Sequence, residues 1–172
     1  DILKSSNHFI YDRRGLMKEE IWYTADDELQ SRSVYEYDKE GKLISASRYD
    51  NKGELFGSQT YNYTNGLLTE FIDKDRSGNV LNRHIYKYSE QKLKTEEEWY
   101  DRMGRINAVR QYKYDENGLL VEELEFRRGE YRHKIVRDYD NNGLLLHEKW
   151  IGADDIPFFE SDYIYEYFDK EE

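Results

Sequence analysis

Residues 35–63 read YEYDKEGKLISASRYDNKGELFGSQTYNY, and this stretch decides the fold. It holds two short strand patterns, each closed by Asp-x-x-Gly, before the opening Tyr-x-Tyr returns at Tyr61 and Tyr63. In Asp38–Gly41 and Asp50–Gly53 the Asp carboxylate can cap the turn's backbone amides. The Gly supplies the positive φ that follows a type I turn. Such loops are hairpin connections. A bulge at each glycine sets Asp38 opposite Lys42, Tyr37 opposite Leu43 and Tyr49 opposite Leu55. Alternation then places Tyr35, Tyr37, Leu43, Ser45, Ser47, Tyr49, Leu55, Gly57, Gln59, Tyr61 and Tyr63 on one face. Glu36, Arg48, Ser58 and Asn62 fall on the other, with Ile44 and Phe56 as apolar exceptions there.

Nearly all of the remaining chain copies this unit. The opening position recurs at Phe9, Tyr35, Tyr61, Tyr86, Tyr112, Arg137 and Tyr163, in steps of 26, 26, 25, 26, 25 and 26 residues. The second tyrosine follows without a break at Tyr11, Tyr37, Tyr63, Tyr88, Tyr114, Tyr139 and Tyr165. A fixed period in this range marks a repeat architecture of six two-strand units and a terminal half unit, and the unbroken inner column reads as structural. Asp12–Gly15, Asp101–Gly104, Asp115–Gly118 and Asp140–Gly143 keep the full loop, whereas Asn65-Gly66 and Arg128-Gly129 are two-residue turns. After the shorter loop, restored register requires Leu68 rather than Leu67 to face Tyr63. The first and last full units use other second turns, Thr24–Leu29 and Gly152–Pro157, as terminal repeats often do. Pro157, the only proline, suits an edge strand, and Asp169–Glu172 reads as a solvated acidic tail that blocks one end.

The expected fold is therefore all-β: a repetitive antiparallel β-meander forming a single curved or spiral sheet of about 13–14 strands. With no linker in 172 residues, the chain reads as one repeat domain, 1–172. Hydrophobic residues make up 37%, charged residues 37%, and 17 are tyrosine, so aliphatic material for two packed layers is scarce. A mean hydropathy of -1.07 agrees. The net charge of -11 disfavours nucleic acid, which is held by clustered lysine and arginine. No run is apolar enough to span a membrane as a helix, and no signal peptide is visible at Asp1. Absence of cysteine removes disulfides and zinc-thiolate sites.

Candidate constellations compete with structural readings. Asp73–Val80 has the opening of a calcium loop, but its twelfth place is His84 rather than the bidentate glutamate, and Asp-x-x-Gly already accounts for it as a hairpin. His8, His84, His133 and His147 occupy different repeat positions, so nothing pairs them as ligands. No nucleophile motif stands out, and acidic pairs such as Glu122-Glu123 and Asp26-Asp27 arise from composition. No catalytic residue, metal site or cofactor is expected, and the chain reads as a non-enzyme. The tyrosine columns, with Trp22, Trp99 and Trp150, serve either cross-strand packing or a platform for a protein, a sugar ring or a quaternary amine. Contacts with a partner, or self-association, are expected through Tyr35, Tyr37, Tyr49, Tyr61, Tyr63, Tyr112 and Tyr114.

At Tyr35-x-Tyr37-Asp38-x-x-Gly41-x-Leu43, and again at Tyr49-Asp50-x-x-Gly53-x-Leu55, the chain resembles the YD repeats of bacterial RHS proteins. The likeness covers almost the whole sequence. It implies long β-meanders in secreted or surface proteins, hence a non-enzymatic interaction or scaffold module at the cell surface, in the periplasm or outside the cell. Seven partial or full units are too few for the large closed shells of that family. The motif is also similar to the aromatic-glycine hairpins of cell-wall-binding repeats, which implies carbohydrate or choline binding as the rival role. A toxin-immunity role is a further alternative.

Overall fold

The computed structural model describes residues 5–166. Thirteen strands form one antiparallel sheet in the order of the chain. They are β1 (Ser6–Tyr11), β2 (Met17–Tyr23), β3 (Leu29–Tyr37), β4 (Leu43–Asp50), β5 (Leu55–Thr64), β6 (Leu67–Asp75) and β7 (Val80–Tyr88), followed by β8 (Lys94–Tyr100), β9 (Ile106–Tyr114), β10 (Leu120–Arg127), β11 (Glu130–Tyr139), β12 (Leu145–Gly152) and β13 (Pro157–Asp162). No helix occurs among the described residues. Pro157 opens the outer strand β13, where no ladder donor is lost. The acidic tail expected to block one end lies outside the described residues.

The turns form as their residues dictate. Asp38 N–H donates to Lys42 O at 2.9 Å, Gly41 N–H donates to Asp38 O at 3.1 Å, and Gly41 takes φ 88°. Asp38 Oδ1 accepts from the amides of Glu40 and Lys42 at 2.9 and 2.8 Å, which caps the loop. The divergent terminal turns keep this geometry, with Asp27 (φ 59°) and Asp155 (φ 60°) in the place of glycine. A further turn that lacks both Asp and Gly, Ser89–Lys92, is built the same way, with Lys92 at φ 66°. Asp75 of the calcium-like stretch is a hairpin cap: its Oδ1 accepts from the amides of Ser77 and Asn79.

The expected pairs Tyr37 with Leu43, Tyr49 with Leu55 and Tyr63 with Leu68 are all present. One residue farther on, each of the ten described pairings carries a second irregularity, a β-bulge on the returning strand. Ile44 is the extra residue between Leu43 and Ser45, and Phe56 the extra residue between Leu55 and Gly57. The two apolar exceptions of the sequence pattern are thus bulge residues. A one-residue slip moves all later side chains to the opposite face. Tyr35 therefore faces Ala46 rather than Ser45, while Ser45, Ser47, Tyr49 and Leu55 lie on the face opposite Tyr35 and Tyr37. Arg48, assigned by alternation to the far face, pairs with Ser33 and Gly57 on the tyrosine face.

The described residues divide into two compact units, one running to Ile85 together with Tyr100–Arg105, the other comprising Tyr86–Trp99 and the residues from Ile106 onward. In the first unit Ala46 is the buried hydrophobic side chain; in the second they are Ala108 and Ile135. All three sit on the tyrosine face, opposite Tyr35, Arg127 and Glu123 respectively. With so little apolar burial, directional contacts carry more of the stability.

At the end of the second unit His147 joins β12 to β13. Its Nδ1 lies 2.8 Å from Asp162 Oδ1 and its Nε2 3.1 Å from Glu160 Oε1. The Asp162 hydrogen bond, foremost, raises the imidazole above its ordinary value of 6.5. A raised folded-state value means that the contribution is complete below pH ~6.5 and is lost as pH rises through the folded value. Amide protection in β13 is expected to fall across that upper window. NMR titration of His147 should report a value above that of free histidine, and His147→Gln should remove the pH dependence.

Candidate functional site

In the first unit, four of the expected binding tyrosines share a face and are bonded to their own sheet. Tyr37 donates its hydroxyl to Met17 O at 2.9 Å, and Tyr63 donates to Leu43 O at 3.0 Å. Each reaches from the end of its strand to the first residue of the strand before it. Tyr35 donates to Glu20 Oε2 at 3.2 Å, and Tyr61 to Gln59 Oε1 at 3.0 Å, with the Tyr61 ring tilted against Phe71 at 5.2 Å. Burial pushes the Tyr35 and Tyr61 phenols up, so both remain protonated donors at neutral pH.

Tyr49 stands apart from these on the opposite face. The Arg32 guanidinium lies 6.0 Å from its ring centre and is held by Glu19 at 2.8 Å. Beside it is a cleft of about 310 Å³ lined by Gln30, Arg32, Tyr49, Asp50 and Phe56. Phe56 is 67% exposed because the bulge lifts it out of the ladder. Sequence alternation alone did not bring Phe56 to Tyr49; a bulge at every hairpin was the missing signal.

In the second unit the tyrosine face carries a chain of charges where a thicker protein would have aliphatic residues. Lys94 Nζ lies 4.5 Å from the Tyr112 ring centre and bonds Glu97 Oε2 at 3.0 Å. Tyr112 donates to the same oxygen at 3.2 Å, and Trp99 Nε1–H donates to Glu97 Oε1. Arg110 stacks over Trp99 at 4.7 Å and donates from Nε to Glu125 at 3.0 Å, while Arg127 donates to the other Glu125 oxygen. Tyr114 donates to Lys94 O at 2.9 Å, the same clip as in the first unit. Glu97 and Glu125 are only 8% and 3% exposed.

Burial pushes the Glu125 carboxyl up, but the hydrogen bonds from Arg127 and Arg110 outweigh it and hold the group below its ordinary range. Burial likewise opposes the Lys94 charge, and the Glu97 hydrogen bond more than restores it. The Glu125 carboxylate is ionised and held by two guanidinium groups, a poor state for a general base. Arg137, the only non-aromatic residue of the first column, ties Glu148 at 2.8 Å and Glu123 at 3.8 Å, so the substitution replaces a ring by a cross-strand ionic tie. Near it a polar cleft of about 530 Å³ lies between two turns and is lined by Asp115, Asn117, Tyr139, Asp140 and Asn141.

Glu125→Gln is expected to destabilise the protein by about 1–2 kcal/mol, since it removes charge-assisted bonds to guanidinium groups that are themselves partly solvated. Urea denaturation at pH 7 measures this. The difference should vanish as pH falls through the lowered Glu125 value, because a depressed carboxylate contributes only while ionised.

The chain matches no family model and no curated protein. Among solved structures it is similar to TcdB2-TccC3, in two crystal structures, one of them without the hypervariable C-terminal region. Identity is 14% and 13%, the TM-score is 0.55 in both, and 94% of this chain is covered. The chain spans about a tenth (10%) of the length of that solved chain. A porin-like protein from Bacteroides uniformis aligns at a TM-score of 0.40 with 13% identity, over 95% of this chain and 89% of the other. The likeness to TcdB2-TccC3 and the thirteen-strand meander establish a β-repeat protein.

Proposed function

We propose that this chain is a non-enzymatic interaction module of a bacterial surface or envelope assembly, built from YD-type repeats, and that it binds a protein partner through the Tyr49–Phe56 surface. The observation that carries this reading is the allocation of the aromatic side chains. Tyr35, Tyr37, Tyr61, Tyr63, Tyr112 and Tyr114 each donate a hydroxyl within the sheet, which makes them parts of the scaffold. Tyr49 and the exposed Phe56 border a cleft with Arg32 and Asp50, a mixture of apolar area and charge suited to a polypeptide. The repeat Tyr-x-Tyr-Asp-x-x-Gly-x-Leu and the fold shared with TcdB2-TccC3 support the RHS-like assignment.

A photo-reactive residue at position 30, in the lining of the same cleft, should cross-link a protein from the native envelope. Phe56→Ser and Tyr49→Ser should each reduce that capture at least tenfold while leaving the melting temperature within about 2 °C, as surface changes do. The isolated chain should show no saturable binding to choline or on a glycan array. Saturable glycan binding abolished by Tyr49→Ser would replace this reading with carbohydrate capture.

A further inference from the structure

We propose that Asn65 is a modification site. In the folded chain its side-chain amide is lost by attack of the Gly66 nitrogen, ahead of the two other Asn-Gly pairs, and the turn between β5 and β6 then carries aspartate or isoaspartate.

Glycine after asparagine offers this reaction least resistance, because no side chain shields the attacking nitrogen. The sequence holds three such pairs, Asn65-Gly66, Asn117-Gly118 and Asn142-Gly143. Two are held shut by their own turns. Gly118 N–H donates to Asp115 O at 3.1 Å and Gly143 N–H to Asp140 O at 3.0 Å, so each attacking nitrogen is already engaged. The Asp115 and Asp140 carboxylates also accept from the backbone amides of Asn117 and Asn142, at 3.0 and 2.8 Å. Rotating either asparagine into position for attack breaks these bonds, and the adjacent carboxylate opposes loss of the amide proton.

Asn65-Gly66 lacks each of these restraints. Its two-residue turn, with φ 51° and 83°, has no Asp cap, and among the described residues neither the Gly66 amide nor the Asn65 side chain has a hydrogen-bond partner. Both residues are exposed. Lys42 takes the place that Leu119 holds over Gly143: its Nζ lies 3.3 Å from where a β-carbon on Gly66 would stand. That ammonium favours the amide anion and the negative charge that develops on the attacked Asn65 carbonyl oxygen. The Gly66 nitrogen gives its proton to solvent hydroxide and bonds to Asn65 Cγ. The Cγ–Nδ2 bond breaks, and Nδ2 takes a proton from water and leaves as ammonia. Water then opens the cyclic imide at either carbonyl, giving aspartate or isoaspartate. Isoaspartate adds a carbon to the backbone of a tight turn, which loosens the Thr64–Leu67 and Tyr63–Leu68 pairs.

The test incubates the intact chain at neutral and mildly alkaline pH and follows each Asn-Gly pair by peptide mass mapping and enzymatic methylation of isoaspartate. Conversion at Asn65 should run about fivefold or more ahead of Asn117 and Asn142, the equivalent of one neutral hydrogen bond, and should speed up at the higher pH. Lys42→Gln should slow it about twofold, as the loss of one exposed charge does. In concentrated urea the three pairs should react at similar rates, because the restraints belong to the fold. Amide exchange in β5 and β6 should quicken in the isoaspartate fraction. No conversion at Asn65, equal or faster conversion at Asn117 or Asn142 in the folded chain, or the same lead for Asn65 in urea would each overturn the proposal.

Discussion

The structure depends on one directional contact: a tyrosine hydroxyl that crosses to the neighbouring strand and donates to its first backbone carbonyl. A one-layer sheet has little apolar volume to bury, and here the buried hydrophobic side chains are Ala46, Ala108 and Ile135. Cross-strand contacts each contribute only about 0.2–1 kcal/mol, and a neutral hydrogen bond about 0.5–1.5 kcal/mol. Register in such a sheet is therefore set by many small, geometrically strict contacts. The tyrosine ring supplies cover and reach, and the hydroxyl selects one carbonyl, so the same side chain packs the boundary and fixes its alignment.

This contact makes the two rows of turns unequal. Turns that follow Tyr-x-Tyr are packed against their neighbours: Leu16 lies on Gly41, Leu93 on Gly118 and Leu119 on Gly143, and Arg14 donates to Asp38 O at 2.9 Å. The glycines of the other row, Gly53, Gly78, Gly104 and Gly129, have nothing within 4 Å. Divergent turns of unchanged geometry occur in both rows: Thr24 and Gly152 open them in the unpacked row, and Ser89–Lys92 forms one in the packed row. The exposed Phe56 belongs to the side of the unpacked row, beyond the reach of the clips. In the second unit Glu97 and Glu125 hold Lys94, Arg110 and Arg127 in place of aliphatic packing, an arrangement in which removal of one partner strands the others.

Much of this was legible in the residues. The Tyr-x-Tyr period gave strand number and order, because a repeat of 25–26 residues with two turn signals leaves room for two short strands and nothing else. Asp-x-x-Gly gave the turns because both residues have local, backbone-level reasons to be there. The Ser89–Lys92 turn was not legible, since Ser and Lys adopt that geometry only when the flanking strands impose it. The bulges at Ile44 and Phe56 were hidden for a related reason: an extra residue is a property of a strand pair, and nothing in one strand's alternation announces it. That single omission moved Tyr49 to the other face and separated it from the six other tyrosines expected to act with it. The burial of Glu125 was equally unreadable, because it depends on Arg110 and Arg127 converging from neighbouring positions in the sheet.

The most direct test is a series of Tyr→Phe variants measured by urea denaturation, which deletes the hydroxyl and keeps the ring. Tyr37→Phe, Tyr63→Phe, Tyr114→Phe and Tyr139→Phe should each cost about 1 kcal/mol, as expected for a lost hydrogen bond with a carbonyl left unpaired. Tyr49→Phe, on the other face and without such a bond, should fall within about 0.5 kcal/mol of the parent. Equal effects at all five positions, or no effect at the four clip tyrosines, would contradict the claim that the hydroxyl–carbonyl contact holds the repeats in register.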